Sequence, residues 1–222
     1  TLLASSAASD VYKRQMKNYT KYLILILFSF NAYSERWEIG PSDSSQDEIQ
    51  EALILAEPGD TVYLKEGIYN LRHGLSLDVN DIVIQGSGMN KTILNFSDQK
   101  TGAQGLIVTS DNVVLKDFAV ENAKGDAIKS KGVKNISFLR IRTEWTNGPD
   151  SKNGAYGLYP VESIGVLIDE CVAIGASDAG VYVGQSEQII VRNTRAEFNV
   201  AGIEIENSYH ADVYNNIATN NT

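Results

Sequence analysis

The feature that most limits how this chain can fold is a repeat of 22 to 23 residues in its second half. Gly157-Leu158-Tyr159, Gly180-Val181-Tyr182 and Gly202-Ile203-Glu204 fall 23 and 22 residues apart, and Ser163, Ser186 and Ser208 keep the same step. An apolar strand recurs behind them as Val166-Leu167-Ile168, Ile189-Ile190-Val191 and Ala211-Asp212-Val213, followed by a polar turn position at Glu170, Asn193 and Asn215. Upstream the same strand reads Ile82-Val83-Ile84, Val113-Val114-Leu115 and Ile136-Ser137-Phe138. Short runs rich in Val and Ile, bounded by Gly, Asn, Asp and Ser, mark strands and turns, and helical periodicity is missing from residue 80 to 222. A unit this short cannot bury an apolar face alone. It must stack, each strand pairing in parallel with its equivalent about 4.8 Å above. The expected product is an all-β parallel β-helix, a solenoid of about six turns.

A solenoid end exposes unpaired backbone and open core, so it needs a cap. Ser45-x-x-Glu48 reads as a capping box, Ile49, Ala52, Leu53 and Ala56 share one helix face, and Pro58-Gly59 stops the run. A short N-terminal capping helix is therefore predicted over residues 45–56. The other end breaks off in mid-repeat at Asn220-Asn221-Thr222, which reads as a fragment lacking further turns. Residues 1–15 have no periodicity and resemble translated adapter sequence more than a protein segment. From Met16, Lys17 and Lys21 precede an apolar run from Tyr22 to Phe30 and then Ala32-Tyr33-Ser34, the pattern of a signal peptide over residues 16–34. That run is well short of the roughly 20 apolar residues that span a bilayer, so no stable membrane anchor is expected after cleavage. The expected domain covers residues 35–222, exported to the periplasm or the extracellular space.

Charge narrows the partners. The chain carries −9, and −12 without residues 1–34. That sign argues against nucleic acid, whose binding depends on Lys and Arg meeting phosphates, and it makes a polyanionic polysaccharide unfavourable unless positive charge is concentrated locally. The single cysteine, Cys171, cannot form an intramolecular disulfide and reads as a small buried hydrophobe. His73 and His210, expected on solvated turns, make no metal cluster with it. No cofactor is evident, a Ca²⁺ requirement has no support in the residues, and a monomer is expected.

Pro58-Gly59-Asp60-Thr61-Val62-Tyr63-Leu64 followed by Glu66-Gly67-Ile68-Tyr69 resembles the opening strand of bacterial pectin-lyase-like right-handed β-helix proteins. The repeats downstream resemble those of the carbohydrate-binding and sugar-hydrolase subfamily, over roughly residues 45–222. The resemblance implies a right-handed single-stranded parallel β-helix acting on a polysaccharide. It does not choose a reaction, since that superfamily hosts lyases, hydrolases, epimerases and non-catalytic binders. Tyr156-Gly157-Leu158-Tyr159-Pro160-Val161-Glu162 sits where mannuronan C5-epimerases of this fold carry Tyr-Gly-x-Asp-Pro-His-Asp. Tyr156, Gly157 and Pro160 match, while the three catalytic positions hold Tyr159, Val161 and Glu162. Polygalacturonase signatures are not matched by Arg140-Ile141-Arg142, and no pectate-lyase calcium cluster is evident.

Strand alternation turns Leu158, Val181 and Ile203 inward and sets Tyr159, Tyr182 and Glu204 in one outer column, with Lys129 one turn earlier. Tyrosines at strand spacing can stack sugar rings, or simply form a ladder that stabilises a parallel sheet. Two turns are about eight residues longer than the rest, with insertions placed at residues 95–104 and 143–155. These loops, with the turn Glu121–Asp126 between them, predict a groove holding Lys124, Asp126, Lys129, Arg142, Glu144, Trp145, Asp150 and Lys152. Arg142, Glu144, Asp150 and Lys129 are the candidate catalytic groups: cations for a uronate carboxylate and a base for its C5 proton, or Glu144 and Asp150 as a hydrolytic pair. Trp145, Tyr156, Tyr159, Tyr182, Lys124 and Asp126 are the candidate substrate contacts. The expected function is polysaccharide binding with or without lyase, epimerase or hydrolase chemistry, against a non-catalytic envelope protein that binds a glycan or a protein partner.

Overall fold

The computed structural model describes residues 34–222, so the expectations for the leader and signal peptide fall outside the described residues. Each turn of the chain gives one strand to each of three parallel sheets, of eight, seven and six strands. The turn Ile164–Asp169, Val172–Ile174, Ala179–Gly184 pairs in register with the next, Glu187–Arg192, Arg195–Glu197, Ala201–Glu206. The sequence pattern exposed only the first and third of these strands. The middle one is three residues long, too short for alternation to show, and its successive copies share little beyond a central Ala173, Ala196 and Ala218.

Inward-facing side chains stack turn upon turn. One column runs Ile84, Leu115, Phe138, Ile168, Val191 and another Leu75, Leu106, Ile128, Leu158, Val181, all buried. Burying each such side chain contributes about 1.5–3 kcal/mol, so the core is held by repetition rather than by any one contact.

The corners explain the polar columns of the repeat. Glu170, Asn193 and Asn215, with Asp117 and Arg140 before them, all have φ between 50° and 63°, a left-handed bend that turns the chain from the first sheet into the second. Asn and Asp tolerate this conformation best, which is why the position is polar. The serines form a ladder at the next-but-one corner. Ser163 N–H donates to Ser186 Oγ and Ser186 N–H to Ser208 Oγ, each 3.0 Å, while each hydroxyl donates to a carbonyl of its own turn. Cys171 occupies a corner position below Thr194 and Asn216 and is buried as expected; burial pushes its thiol up to about 12.

At the N-terminal end the helix Ser45–Leu55 packs Ile49, Ala52 and Leu53 onto the core, with Ala56 just beyond. The expected capping box is absent. Ser45 Oγ is taken up by Ser42 and Gly40 in the preceding turn, and Glu48 is instead bonded by the Ser44 hydroxyl. The first sheet also begins earlier than predicted, with Arg36–Ile39 laid parallel on Thr61–Leu64. Asp60 ties that strand down: its carboxylate accepts Glu35 N–H at 2.6 Å, Glu57 N–H at 3.0 Å and the Trp37 indole at 3.2 Å. Gly59, at φ +103°, makes the bend that aims it. Counted from Arg36–Ile39, the first sheet has eight strands rather than the expected six turns. His73 and His210 lie on strands rather than turns, and both are exposed.

Candidate functional site

The predicted groove residues separate into three places, with Asp150 standing apart from all of them. Arg142 and Glu144 stand on the outer face of the second sheet, in the strand Arg142–Glu144. Arg142 donates to Glu121 at 2.6 Å, to Glu144, and to the Met89 carbonyl at 3.3 Å, with only 12% of its side chain exposed. Three of the five guanidinium donors are engaged and two carboxylates already balance its charge, so this cluster pins the sheet face.

The second place is a cleft of about 340 Å³ at the corner between the second and third sheets. Three consecutive turns line it, with Phe96, Ser97 and Gln99, then Asn122, Ala123 and Lys124, then Trp145, Asn147, Lys152 and Asn153. This is the predicted meeting of two loops over the Glu121–Asp126 turn, with changed boundaries. The later loop spans residues 145–157, but the earlier one is only 96–100, because Thr101–Val108 is a strand. Part of its extra length lies instead at residues 86–91, between the first and second sheets. Trp145 is a buried floor whose indole N–H donates to the Ala123 carbonyl at 2.7 Å. Gln99 is spent on carbonyls of the strand that follows it and Asn153 on loop carbonyls, and Asn122 accepts from Thr146. Lys124 and Lys152 bring exposed positive charge. Asp150 lies apart, in an exposed turn capped by its bond to Lys152 N–H at 2.9 Å, and lines a separate concavity with Phe198 and Val200.

The third place is the outer face of the third sheet. Register sets Ile107, Lys129 and Tyr159 in one column, with Tyr182 opposite Glu204 above it. The loop end then swings Tyr156 onto the same face. Tyr156 lies 4.6 Å from both Tyr159 and Tyr182 between ring centroids, and Tyr159 meets Tyr182 edge-on at 5.2 Å. All three remain partly exposed. Gly184 makes room: a Cβ there would come within 2.6 Å of the Tyr182 ring, which reaches past it to bond Glu206 through its hydroxyl. Lys129 Nζ sits 4.3 Å from the Tyr159 ring centroid. Gly125 and Gly154 separate this face from the cleft, so tightly stacked that a Cβ on Gly154 would lie 1.7 Å from the Gly125 carbonyl oxygen.

Electrostatics give the face its character. Burial first, then the Asp178 carboxylate, pushes the Tyr156 phenol up to about 12. The Glu206 bond, then burial, pushes Tyr182 further up, and burial raises Tyr159 as well. Burial also raises the Asp126 carboxyl, with Lys129 opposing it, and burial and Asp178 raise that of Glu204. The phenols therefore stay protonated at neutral pH, as a packed surface of three rings with polar tips. Asp178 and Glu206 are not legible in the sequence: Asp178 lies in the connection before its strand, and Glu206 is one more charge at the end of the strand Ala201–Glu206. The 22-residue step from Gly184 to Glu206 was the only signal for the latter.

A single-stranded parallel β-solenoid with a cleft along one corner and an aromatic patch on the adjoining sheet is the class these features define. Residues 80–222 match the family model described as right-handed β-helix region, and the chain belongs to that family. Three solved structures share the fold. The A-module of a mannuronan C-5 epimerase from Azotobacter vinelandii aligns at TM-score 0.60 and 18% identity, over 81% of this chain and 54% of its own. A candidate glycosyl hydrolase from Parabacteroides merdae aligns at TM-score 0.64 and 10% identity, over 83% of this chain and 96% of its own. An alginate lyase from a Paenibacillus species aligns at TM-score 0.52 and 14% identity, over 82% and 76%. The chain thus spans about half the length of the epimerase module. No curated protein matches it in sequence.

Proposed function

We propose that this is an exported β-helix protein that binds a polysaccharide across the tyrosine face of its third sheet, with the adjoining cleft as an extension of the same surface. The observation that carries the reading is the contact of Tyr156, Tyr159 and Tyr182 on an otherwise regular sheet. Partly exposed tyrosines offer flat apolar bodies with hydrogen-bonding tips, which suits the alternately apolar and polar faces of sugar rings. Polysaccharide-acting proteins among the structural neighbours support the choice of ligand.

Binding is favoured over turnover. A tyrosine base for C5 proton abstraction needs a phenol that ionises easily, and Tyr156 is shifted the opposite way. Arg142 is occupied by Glu121 and Glu144, so it is not a free clamp for a uronate. A second reading, polysaccharide modification, is favoured only by Tyr156 keeping its place in the epimerase-like motif beside Asp178.

The test is affinity electrophoresis and calorimetry on residues 35–222 with neutral, acidic and amino glycans, alongside assays for unsaturated products, reducing ends and epimerised sugars. Binding without turnover is expected, weakened about tenfold by Tyr159→Ala and more by adding Tyr182→Ala, since tenfold corresponds to about 1.4 kcal/mol per lost stacking contact. Absence of binding to every glycan, or affinity unchanged in the double variant, would overturn the reading.

A further inference from the structure

The tyrosine face also carries an arrangement of charge that distinguishes glycan classes. At its earlier turns cations stand among the acids. Lys131 meets Glu162 at 3.7 Å, and the Lys129 charge acts on Asp126 without a close ion pair. At its later turns they do not. Among the described residues no Lys, Arg or His forms an ion pair with Asp178, Glu204 or Glu206. Asp178 and Glu204 act on Tyr156, and Glu206 bonds the Tyr182 hydroxyl, so these three carboxylates surround the aromatic patch rather than standing elsewhere on the surface.

A second observation, independent of the carboxylates, points to the matching ligand. The Lys129 ammonium lies 4.3 Å from the Tyr159 ring centroid, so one ring of this patch already receives an alkylammonium in the cation–π geometry. A sugar amine on the neighbouring rings would find the same negative ring faces, and in addition carboxylates without a cationic partner, two of them bonded only by tyrosine hydroxyls. A uronate there would meet three like charges instead. The positive cleft residues Lys124 and Lys152 lie across the Gly125–Gly154 ridge and do not compensate them.

We infer that the ligand of this face carries free amino groups, a de-N-acetylated hexosamine glycan rather than a polyuronate. The inference rests on the reading of the face as glycan-binding and specifies its substrate class.

The test is titration calorimetry of residues 35–222 with a glucosamine hexamer, an N-acetylglucosamine hexamer and an oligogalacturonate, at one ionic strength, with and without EDTA. The glucosamine hexamer is expected to bind at least tenfold tighter than either of the others, with no effect of EDTA. Glu204→Gln and Asp178→Asn should each reduce that preference several-fold and leave the N-acetylated ligand unaffected. Asp47→Asn with Glu51→Gln on the capping helix removes twice the charge of either face variant, far from the face, and should change nothing, which separates a site from general attraction to an acidic protein. Lys129→Met removes the resident ammonium and should strengthen glucosamine binding. Equal or tighter binding of the uronate or the N-acetylated hexamer, dependence on a divalent cation, or an equal loss in the helix variant overturns the inference. Tyrosine-dependent binding without amine preference defeats this inference alone, whereas no glycan binding at all defeats the proposed function with it.

Discussion

At the residue scale, the most informative side chains are those whose surroundings contradict their usual behaviour. Asp60 is buried, yet three donors outweigh the cost of burial and hold its carboxyl below the ordinary range. A carboxylate with a depressed folded-state pKa contributes stability that is fully present above its unfolded value of about 3.9 and is lost as pH falls through the folded value. The unfolding midpoint should therefore drop below about pH 4. Asp60→Asn should lower stability at neutral pH by about 2 kcal/mol, because an amide cannot accept from all three donors, and should flatten the acid limb. Urea denaturation between pH 2.5 and 7 measures both. An unchanged acid limb would mean that Asp60 does not tie the first strand down. The Pro58-Gly59-Asp60 run was legible as a family resemblance, but the reason for its aspartate was not, since the partners Glu35 and Trp37 are brought to it only by the parallel strand Arg36–Ile39. Likewise Trp145 and Arg142 looked like free binding groups from their position beside an insertion. A sequence does not say which of its polar atoms are already taken by a turn one repeat earlier.

At the scale of elements, the corners matter as much as the strands. Asn199 is buried at the corner between the second and third sheets, where its side chain accepts Ala176 N–H at 2.9 Å and donates to the Ala173 carbonyl at 3.1 Å. Asn221 repeats this one turn on, accepting Asn199 N–H at 3.0 Å. Replacing Asn199 with Ala leaves a buried N–H and carbonyl without partners, at about 1–3 kcal/mol each, so a loss of about 3 kcal/mol is expected in equilibrium denaturation. A loss below 1 kcal/mol would show that water replaces the ladder at little cost. Strand positions, the inward columns and the corner polarity were readable because each is repeated at a fixed step. The second sheet was not, because three-residue strands such as Val172–Ile174 carry no alternation of their own and depend on their stacked neighbours. The same limit blurred the first insertion, where Thr101–Val108 reaches its length only by pairing with His73–Leu77 through a register shift.

For the molecule as a whole, the solenoid converts sequence period into a surface ruled at about 4.8 Å intervals, so that any outward column becomes a row of equally spaced groups. Most rows here are neutralised locally, as where Arg192 bridges to Asp169 at 2.7 Å or Arg140 to Asp117 at 2.6 Å. The third sheet departs from this with adjacent aromatic rings and carboxylates without cationic partners beside a corner cleft of opposite charge. The helix Ser45–Leu55 covers the core at one end, while in the last described turn Val213 and Ile217 are exposed. On such a scaffold a binding site would lie on a face rather than in an enclosed pocket, and among the described residues the tyrosine face presents three adjacent rings to solvent. The most direct test is heteronuclear NMR mapping of residues 35–222 during titration with oligosaccharides. Shifts concentrated at Asp126–Lys129, Tyr156–Tyr159 and Asp178–Gly184 are predicted; shifts confined to the second sheet around Arg142, or none at saturating ligand, would contradict the account.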